Sequence, residues 1–252
     1  MIESFALDPV TLAVALGAFA LAGAVKGLVG MGLPLTAISI MVTVVSPLEA
    51  IPLIVVPVIV TNIWQVVQGG ALASVVARFW AMNVAACAGI WLGTIVLFAL
   101  DPALLAAGLG AVVFAYSLIN LLAVQVRLRP QAERRWGPAV GLLSGFLTGT
   151  TGSVGIPLVV FFQAIGFDRD TYLRAISLIF LVSGVFLGAT LIGRGAFGWP
   201  QAAASTAALA PALAGMWVGQ KLSGRLSPER FRACVFAVLL VVGAHLIAKT
   251  LY

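Results

Sequence analysis

Apolar runs, broken by charged residues, glycine or proline, occupy almost the whole 252-residue chain. Many runs reach the length of about 20 residues that a helix needs to cross a bilayer, and no comparable polar stretch remains for a soluble domain. The pattern predicts an all-α polytopic membrane protein with ten helical units. They are expected at 9–26, 33–46, 48–68, 76–100, 102–124, 137–148, 154–166, 172–193, 201–222 and 229–250.

Glycine and proline landmarks recur in the two halves of the chain. The segment Gly23–Pro34 has a counterpart in Gly145–Pro157, where Gly23, Gly27 and Gly30 each return 122 residues later. The motif Gly89–Gly93 returns as Gly215–Gly219 after 126 residues. Such a small drift between separate landmarks predicts an internal repeat, a recurring feature of secondary transporters.

The repeats are expected at residues 1–126 and 137–252, joined by a basic cytoplasmic linker at 127–136. Each repeat contains about five helical elements and opens with a hairpin of short or broken helices. Because five is odd, the second repeat starts on the other side of the membrane, so the two repeats are predicted to be inverted.

Fourteen Lys and Arg against eight Asp and Glu give a net charge of +6, but the basic residues lie in short connections between apolar runs. This distribution indicates membrane topology rather than nucleic-acid binding. Eleven of the fourteen are expected on the cytoplasmic side, which places both termini outside. Their connections are those near Arg78, at 127–135, at 169–174 and at 221–232.

Two glycine-rich segments interrupt the helices that open each half: the first break, Gly27–Pro34, and the second break, Gly149–Pro157. Irregular backbone inside a membrane is tolerated where protein or a water-filled cavity surrounds it. A helix that restarts at the proline would direct its free N–H groups and positive dipole end at that cavity, near mid-membrane. The predicted substrate-binding residues of the breaks are Gly27, Gly30, Gly32, Gly149, Thr150, Thr151, Gly152 and Ser153.

The alternative explanation is that the small residues allow close helix packing. We favour packing for Gly89–Gly93 and Gly215–Gly219. For the two breaks, where proline and hydroxyl groups accompany the glycines, we favour ligand binding. The second half's units 137–148 and 154–166 are also too short to cross, since at ~1.5 Å per residue each spans under ~20 Å.

Four further polar residues are candidates for the substrate site. Lys26 could neutralise an anion, or it could extend its amine to the cytoplasmic interface. Asn62 and Gln65 lie one helical turn apart and could bind substrate or hold helices together. Arg174 could pair with an entering anion or mark the cytoplasmic side.

The sequence lacks the residue groupings that catalysis or metal binding would need. His245 stands alone in its apolar unit, Cys87 and Cys234 match no metal spacing, and Asp and Glu fall at segment boundaries. We therefore expect no catalytic residues, no metal and no cofactor. Proton-coupled carriers usually keep a carboxylate or histidine inside the membrane, so the coupling ion is not visible in the sequence.

The motifs at Gly23–Pro34 and Gly145–Pro157, duplicated around a basic loop, resemble the TauE/SafE sulfite exporter family of toluene-sulfonate uptake permease-like transporters. The resemblance covers essentially the full chain. It implies a bacterial inner-membrane carrier of sulfite, sulfonates or related small organic anions. The first break departs from the second, because Leu28, Val29 and Met31 stand where the second break has hydroxyl groups. Polar contacts are thus expected to lean toward the second half.

The leading function is therefore a secondary transporter that exports small sulfur-containing anions by alternating access. A passive anion channel, or a transport-complex subunit for another small organic anion, is the alternative. An intramembrane enzyme lacks the necessary motifs. The expected partners are the anion and the lipid bilayer, without nucleic acid, and a homodimer remains open.

Overall fold

The computed structural model describes residues 8–68, 72–122, 128, 131–152, 156–223 and 228–251. These residues form ten α-helices and no strand, which confirms the all-α prediction. The helices are α1 (Pro9–Val29), α2 (Leu33–Met41), α3 (Pro47–Gln68), α4 (Leu72–Ala99), α5 (Pro102–Leu121), α6 (Gln131–Thr151), α7 (Ile156–Ile165), α8 (Arg169–Gly193), α9 (Trp199–Leu222) and α10 (Pro228–Leu251).

Seven of these helices are long and apolar enough to cross a membrane, namely α1, α3, α4, α5, α8, α9 and α10. Many of their large apolar side chains face outward: Val67 is 76% exposed and Trp199 is 83% exposed. In water such a surface would be unfavourable, whereas lipid tails solvate it. The chain is a polytopic membrane protein.

Helix α6 differs from its predicted bounds. The apolar run predicted 137–148, but the helix covers the 21 residues Gln131–Thr151. It begins inside the charged stretch, where the negative charge of Glu133 in the first turn interacts favourably with the positive end of the helix dipole. At ~1.5 Å per residue it is about 31 Å long, so it is not a half-length helix. Its partner α7, with 10 residues, is short as predicted.

Aspartates at the segment boundaries begin helices. Carboxylate oxygens of Asp8, Asp101 and Asp168 each accept hydrogen bonds from backbone N–H groups of the first helical turn. The side chain of Thr11 also donates to Asp8 and lowers the pKa of that carboxyl group. These carboxylates therefore have a visible role in helix capping.

The chain divides into two compact units. Unit 1 comprises residues 1–57, 100–124 and 195–252, and unit 2 comprises residues 58–99 and 125–194. In unit 1, α1 packs on α2 and α9, and α5 packs on α10. In unit 2, α6 packs on α7 and α4, and α4 also packs on α8. Each unit thus joins the opening hairpin of one half to the fourth helix of the other. The repeat boundaries and the inversion remain predictions.

Glycines allow the backbones of the paired helices to touch. In unit 1, a Cβ atom added to Gly23 would lie 2.0 Å from the carbonyl oxygen of Ala212. In unit 2, a Cβ atom added to Gly145 would lie 2.0 Å from the carbonyl oxygen of Ala86. The same holds at Gly89–Gly93 and Gly215–Gly219, which confirms close packing as the role of those motifs.

Ser205 of α9 repairs a proline interruption in α3. Pro57 has no N–H to donate to the carbonyl of Leu53, one turn earlier. The buried hydroxyl of Ser205 donates to that carbonyl (2.9 Å) and accepts a hydrogen bond from the N–H of Val56 (3.0 Å). One side chain therefore satisfies the carbonyl that the proline leaves open and also bonds a neighbouring backbone N–H group.

We expect Ser205→Ala to lower the stability of the protein by about 1–3 kcal/mol, because two buried backbone groups lose their partner. In a Pro57→Ala background the helix can supply its own hydrogen bonds, so the same serine replacement should cost much less. Thermal unfolding of the four proteins of this double-mutant cycle measures the difference. Equal costs in both backgrounds would contradict the repair role.

Candidate functional site

The first break is a sharp turn between α1 and α2 in unit 1. Gly30 has φ 89° and donates its N–H to the carbonyl of Lys26 (2.7 Å), which ends α1. Gly32 has φ 98° and precedes α2, whose second residue is Pro34. Positive φ values disfavour residues with a Cβ atom, so both positions favour glycine. The predicted interruption and restart at the proline are confirmed.

The donor groups at the amino-terminal end of α2 have few hydrogen-bond partners. Gly32 gives no side-chain cap, and Pro34 has no N–H. Among the described residues, no hydrogen bond is assigned to the N–H groups of Leu33 and Leu35. The side chain of Thr36 is 1% exposed, and its hydroxyl also lacks a partner there. This helix end therefore offers N–H groups, a positive dipole end and a buried hydroxyl.

The second break lies between α6 and α7 in unit 2. Gly152 has φ 65° and donates its N–H to the carbonyl of Thr148 (2.8 Å) at the end of α6. Ser153, a predicted binding residue, lies outside the described residues. On the other side, the N–H of Leu158 in α7 donates to the hydroxyl of Ser144 (3.2 Å). Helix α6 therefore caps the first turn of α7.

The threonines at the end of α6 donate to carbonyls of their own helix. Thr148 donates to Ser144 (2.8 Å), and Thr151 donates to Leu147 (2.7 Å). Thr150 donates to the carbonyl of Phe146 (3.0 Å). A hydroxyl group carries a single proton. In this conformation Thr150 and Thr151 can accept hydrogen bonds, but their protons are not available to an anion.

The described parts of the two breaks differ in how the helix that follows each break is capped. Ser144 of the second break corresponds to Ala22 of the first at the 122-residue offset, and Ala22 has no hydroxyl with which to cap Leu35. Within the part of the chain that the structure describes, donors without an assigned partner lie at the first break. Thr36 is not among the predicted site residues because the predicted segment stops at Pro34. A threonine in the first turn after the break was the available signal.

Gly27 and Gly149 lie at helix contacts. A Cβ atom on Gly27 would meet the carbonyl oxygen of Met216 at 2.1 Å, and one on Gly149 would meet that of Ile90 at 2.4 Å. Their visible role is to let helices approach closely. A role in substrate binding remains a prediction for them, as it does for Gly30, Gly32 and Gly152.

Lys26 lies in the last turn of α1, and its side chain is only 2% exposed. An amine that extended to the membrane interface would be accessible to water. The burial therefore argues against that interpretation. A buried cation next to the first break is an attractive partner for an anion because screening by water is weak there.

The other polar candidates fall in unit 2. Asn62 is buried and donates to the carbonyl of Val58 (2.7 Å) within α3. The side-chain oxygen of Gln65 accepts a hydrogen bond from Ser177 (3.1 Å), which joins α3 to α8. Arg174 is half-buried, and its Nε atom has no hydrogen-bond partner among the described residues. Holding helices together is thus the visible role of Gln65.

Two clefts lie within single units. The unit 2 cleft, of about 570 Å³, contains Arg78 and Glu133, which form two hydrogen bonds of 2.7 Å. The unit 1 cleft, of about 380 Å³, contains Glu49 and Lys249. Glu133 offsets the charge of Arg78, Glu49 accepts hydrogen bonds from Ser46, and the lining residues described for the two clefts do not include the breaks. Neither cleft competes with the breaks as an anion site.

No three His, Cys, Asp or Glu side chains of the described chain lie close enough to bind a metal ion. The fold is that of a polytopic membrane protein with two discontinuous helical hairpins. Secondary transporters bind ligands at such helix ends.

The chain belongs to the sulfite exporter TauE/SafE family, whose model matches residues 15–246. This match covers nearly the whole chain and confirms the resemblance seen in the glycine motifs. Comparisons with curated proteins and with solved structures gave no match. The family consists of membrane transporters of sulfur-containing anions such as sulfite rather than of enzymes, so this chain is a membrane transporter.

Proposed function

We propose that the protein is a secondary transporter that exports small sulfur-containing anions, such as sulfite or sulfonates, across the bacterial inner membrane. The observation that carries the proposal is the first break. There a helix begins with N–H groups that have no assigned partner in the described chain, close in sequence to a lysine that is buried. Helix amino-terminal ends and buried cations both favour anions. The family match supports sulfur-containing anions as the class.

The transport mechanism is alternating access, in which one inverted repeat moves against the other around the bound anion. An anion inside the bilayer needs compensation, because an isolated buried charge costs many kcal/mol. Lys26 supplies the charge, and helix ends supply hydrogen bonds. The proposed topology has both termini outside. The residues proposed to bind substrate are, in unit 1, those of the first break with Lys26 and, in unit 2, those of the second break with Asn62, Gln65 and Arg174.

A carrier and a passive channel differ in their kinetics. We expect sulfite uptake into proteoliposomes to saturate and to be accelerated by sulfite or a sulfonate inside the vesicles. Such counterflow requires a site that alternates between the two sides. A flux that rises linearly with concentration and shows no acceleration would favour the channel.

Gly152→Leu tests the second break. A leucine at φ 65° is strained and adds bulk to the turn, so we expect transport to fall below a tenth of the wild-type rate, about a 1.4 kcal/mol effect or more. Gly166→Leu is the matched control, since Gly166 has φ 76° and open space around it in a connection of the same unit.

Both variants carry similar backbone strain, but only one changes a break. We expect Gly166→Leu to insert into the membrane and to transport sulfite at nearly the wild-type rate. Wild-type transport by Gly152→Leu would remove the second break from the site. Equal losses in the two variants would point to strain rather than to substrate binding.

A further inference from the structure

Two buried hydroxyl groups in unit 1 lack hydrogen-bond partners within the described residues: those of Thr36 in α2 and Ser117 in α5. Both side chains are at most 1% exposed. Most buried hydroxyls donate to a helix carbonyl, as that of Ser39 does to Leu35 (2.7 Å). A buried hydroxyl without a partner is unfavourable and calls for an explanation.

Thr36 and Ser117 differ in what surrounds them along the chain. Thr36 lies in the first turn of α2, four residues after Gly32. Side chains in a helix lean toward its amino-terminal end, which brings the Thr36 hydroxyl toward the N–H groups of Leu33 and Leu35. Ser117, in contrast, lies in the last turns of α5. Only Thr36 is next to other unused donors.

The hydroxyl of Thr36 also does not make the hydrogen bond that threonines at the second break make. Thr148 and Thr151 donate to the carbonyl four residues earlier in α6. The corresponding acceptor for Thr36 is the carbonyl of Gly32, which accepts the backbone N–H of Thr36 (3.0 Å) but not its hydroxyl proton. As far as the described residues extend, the proton of the Thr36 hydroxyl is therefore free for a ligand.

We propose that the Thr36 hydroxyl and the N–H groups of Leu33 and Leu35 bind an oxygen of the transported anion. The first break then recognises the oxyanion, with Lys26 supplying the charge. At the second break the corresponding N–H group, that of Leu158, already donates to Ser144. A compact anion with several oxygens on one sulfur atom suits a cluster of donors. This inference rests on the proposed function.

Binding of sulfite to purified protein in lipid nanodiscs, measured by calorimetry, tests the inference. Thr36→Val keeps the shape of the side chain and removes the hydroxyl. We expect it to raise the Kd for sulfite by roughly tenfold or more, as for a hydrogen bond to a charged group. Thr36→Ser keeps the donor and should restore binding to near the wild-type value. Ser117→Ala, the matched control, should leave the Kd unchanged.

Thermal unfolding without sulfite separates ligand binding from folding. Neither Thr36→Val nor Ser117→Ala removes a hydrogen bond within the described protein, so we expect neither to lower the Tm. If Thr36→Val does not fold, Thr36→Ala replaces it in the same comparison. A Kd equal to that of the wild type, or an equal loss in Ser117→Ala, would overturn the inference.

The proposed function and the assignment of Thr36 can be distinguished by their failures. If the wild-type protein binds neither sulfite nor methanesulfonate, the proposed substrate class is wrong, and the role of Thr36 in binding it is wrong too. If the wild type binds sulfite and Thr36→Val binds it equally well, the substrate class stands and only the assignment of Thr36 is overturned.

Discussion

Gly23→Ala should prevent unit 1 from folding stably, although alanine is the best helix former. The added Cβ atom would lie 2.0 Å from the carbonyl oxygen of Ala212 and 3.0 Å from its Cα atom. These are backbone atoms of α9, which cannot rotate away as a side chain can. The two helices would have to separate along their contact. We expect a destabilisation at or above the upper end of the roughly 1–3 kcal/mol typical of overpacking.

Gly17→Ala in the same helix is the matched control. No atom lies within 4 Å of the position that its Cβ would occupy. Replacing glycine by alanine in a helix interior normally stabilises it by about 0.5–1 kcal/mol. The yield of monodisperse protein in detergent and its unfolding temperature measure both effects. A Gly23→Ala protein as stable as Gly17→Ala would show that the backbone contact is not required.

The repeat interpretation extends this expectation to unit 2. Gly145 stands 122 residues after Gly23, and its Cβ atom would lie 2.0 Å from the carbonyl oxygen of Ala86. Ala86 in turn stands 126 residues before Ala212, so the same pair of positions is in contact in each unit. Related sequences that fold into related contacts explain why the glycines return with so little drift.

The helices could be predicted from sequence because hydrophobic length is a strong signal. Ten units were expected, and ten helices are found in the described chain. The start of α6 could not be predicted from hydropathy, since Gln131–Arg135 is polar and yet helical. Which helices pack against each other could not be predicted from the sequence either. Gly23 marks a surface where another backbone can approach, but nothing local indicates that the approaching residue is Ala212.

The site was predictable at the level of backbone and less so at the level of side chains. Clustered glycines followed by proline correctly indicated the turns at Gly30, Gly32 and Gly152, because few other residues adopt a positive φ. Hydroxyl groups were harder to interpret. The proton of Thr151 is used within its own helix, while that of Thr36 is not. Residue type alone cannot show which acceptor a hydroxyl selects.

Lys26→Met should abolish effective transport while leaving the protein folded. Methionine retains much of the apolar stem of lysine and removes its charge. If Lys26 neutralises the anion, its removal leaves a buried anion without a counter-charge, a change that costs about 2–5 kcal/mol. We therefore expect KM for sulfite uptake to rise by roughly two orders of magnitude. Lys26→Gln, which keeps a hydrogen-bond donor, should be affected less.

Lys249→Met distinguishes this local effect from a general loss of positive charge. Lys249 belongs to α10 of the same unit and is exposed, so water and salt screen its charge. Both variants lower the net charge by one, but only Lys26→Met should raise KM. The unfolding temperature gives the second criterion. Burying an ammonium group is itself unfavourable, so a lysine that serves anion binding is not needed as a source of stability. A normal KM together with a lower unfolding temperature would make Lys26 a structural residue instead.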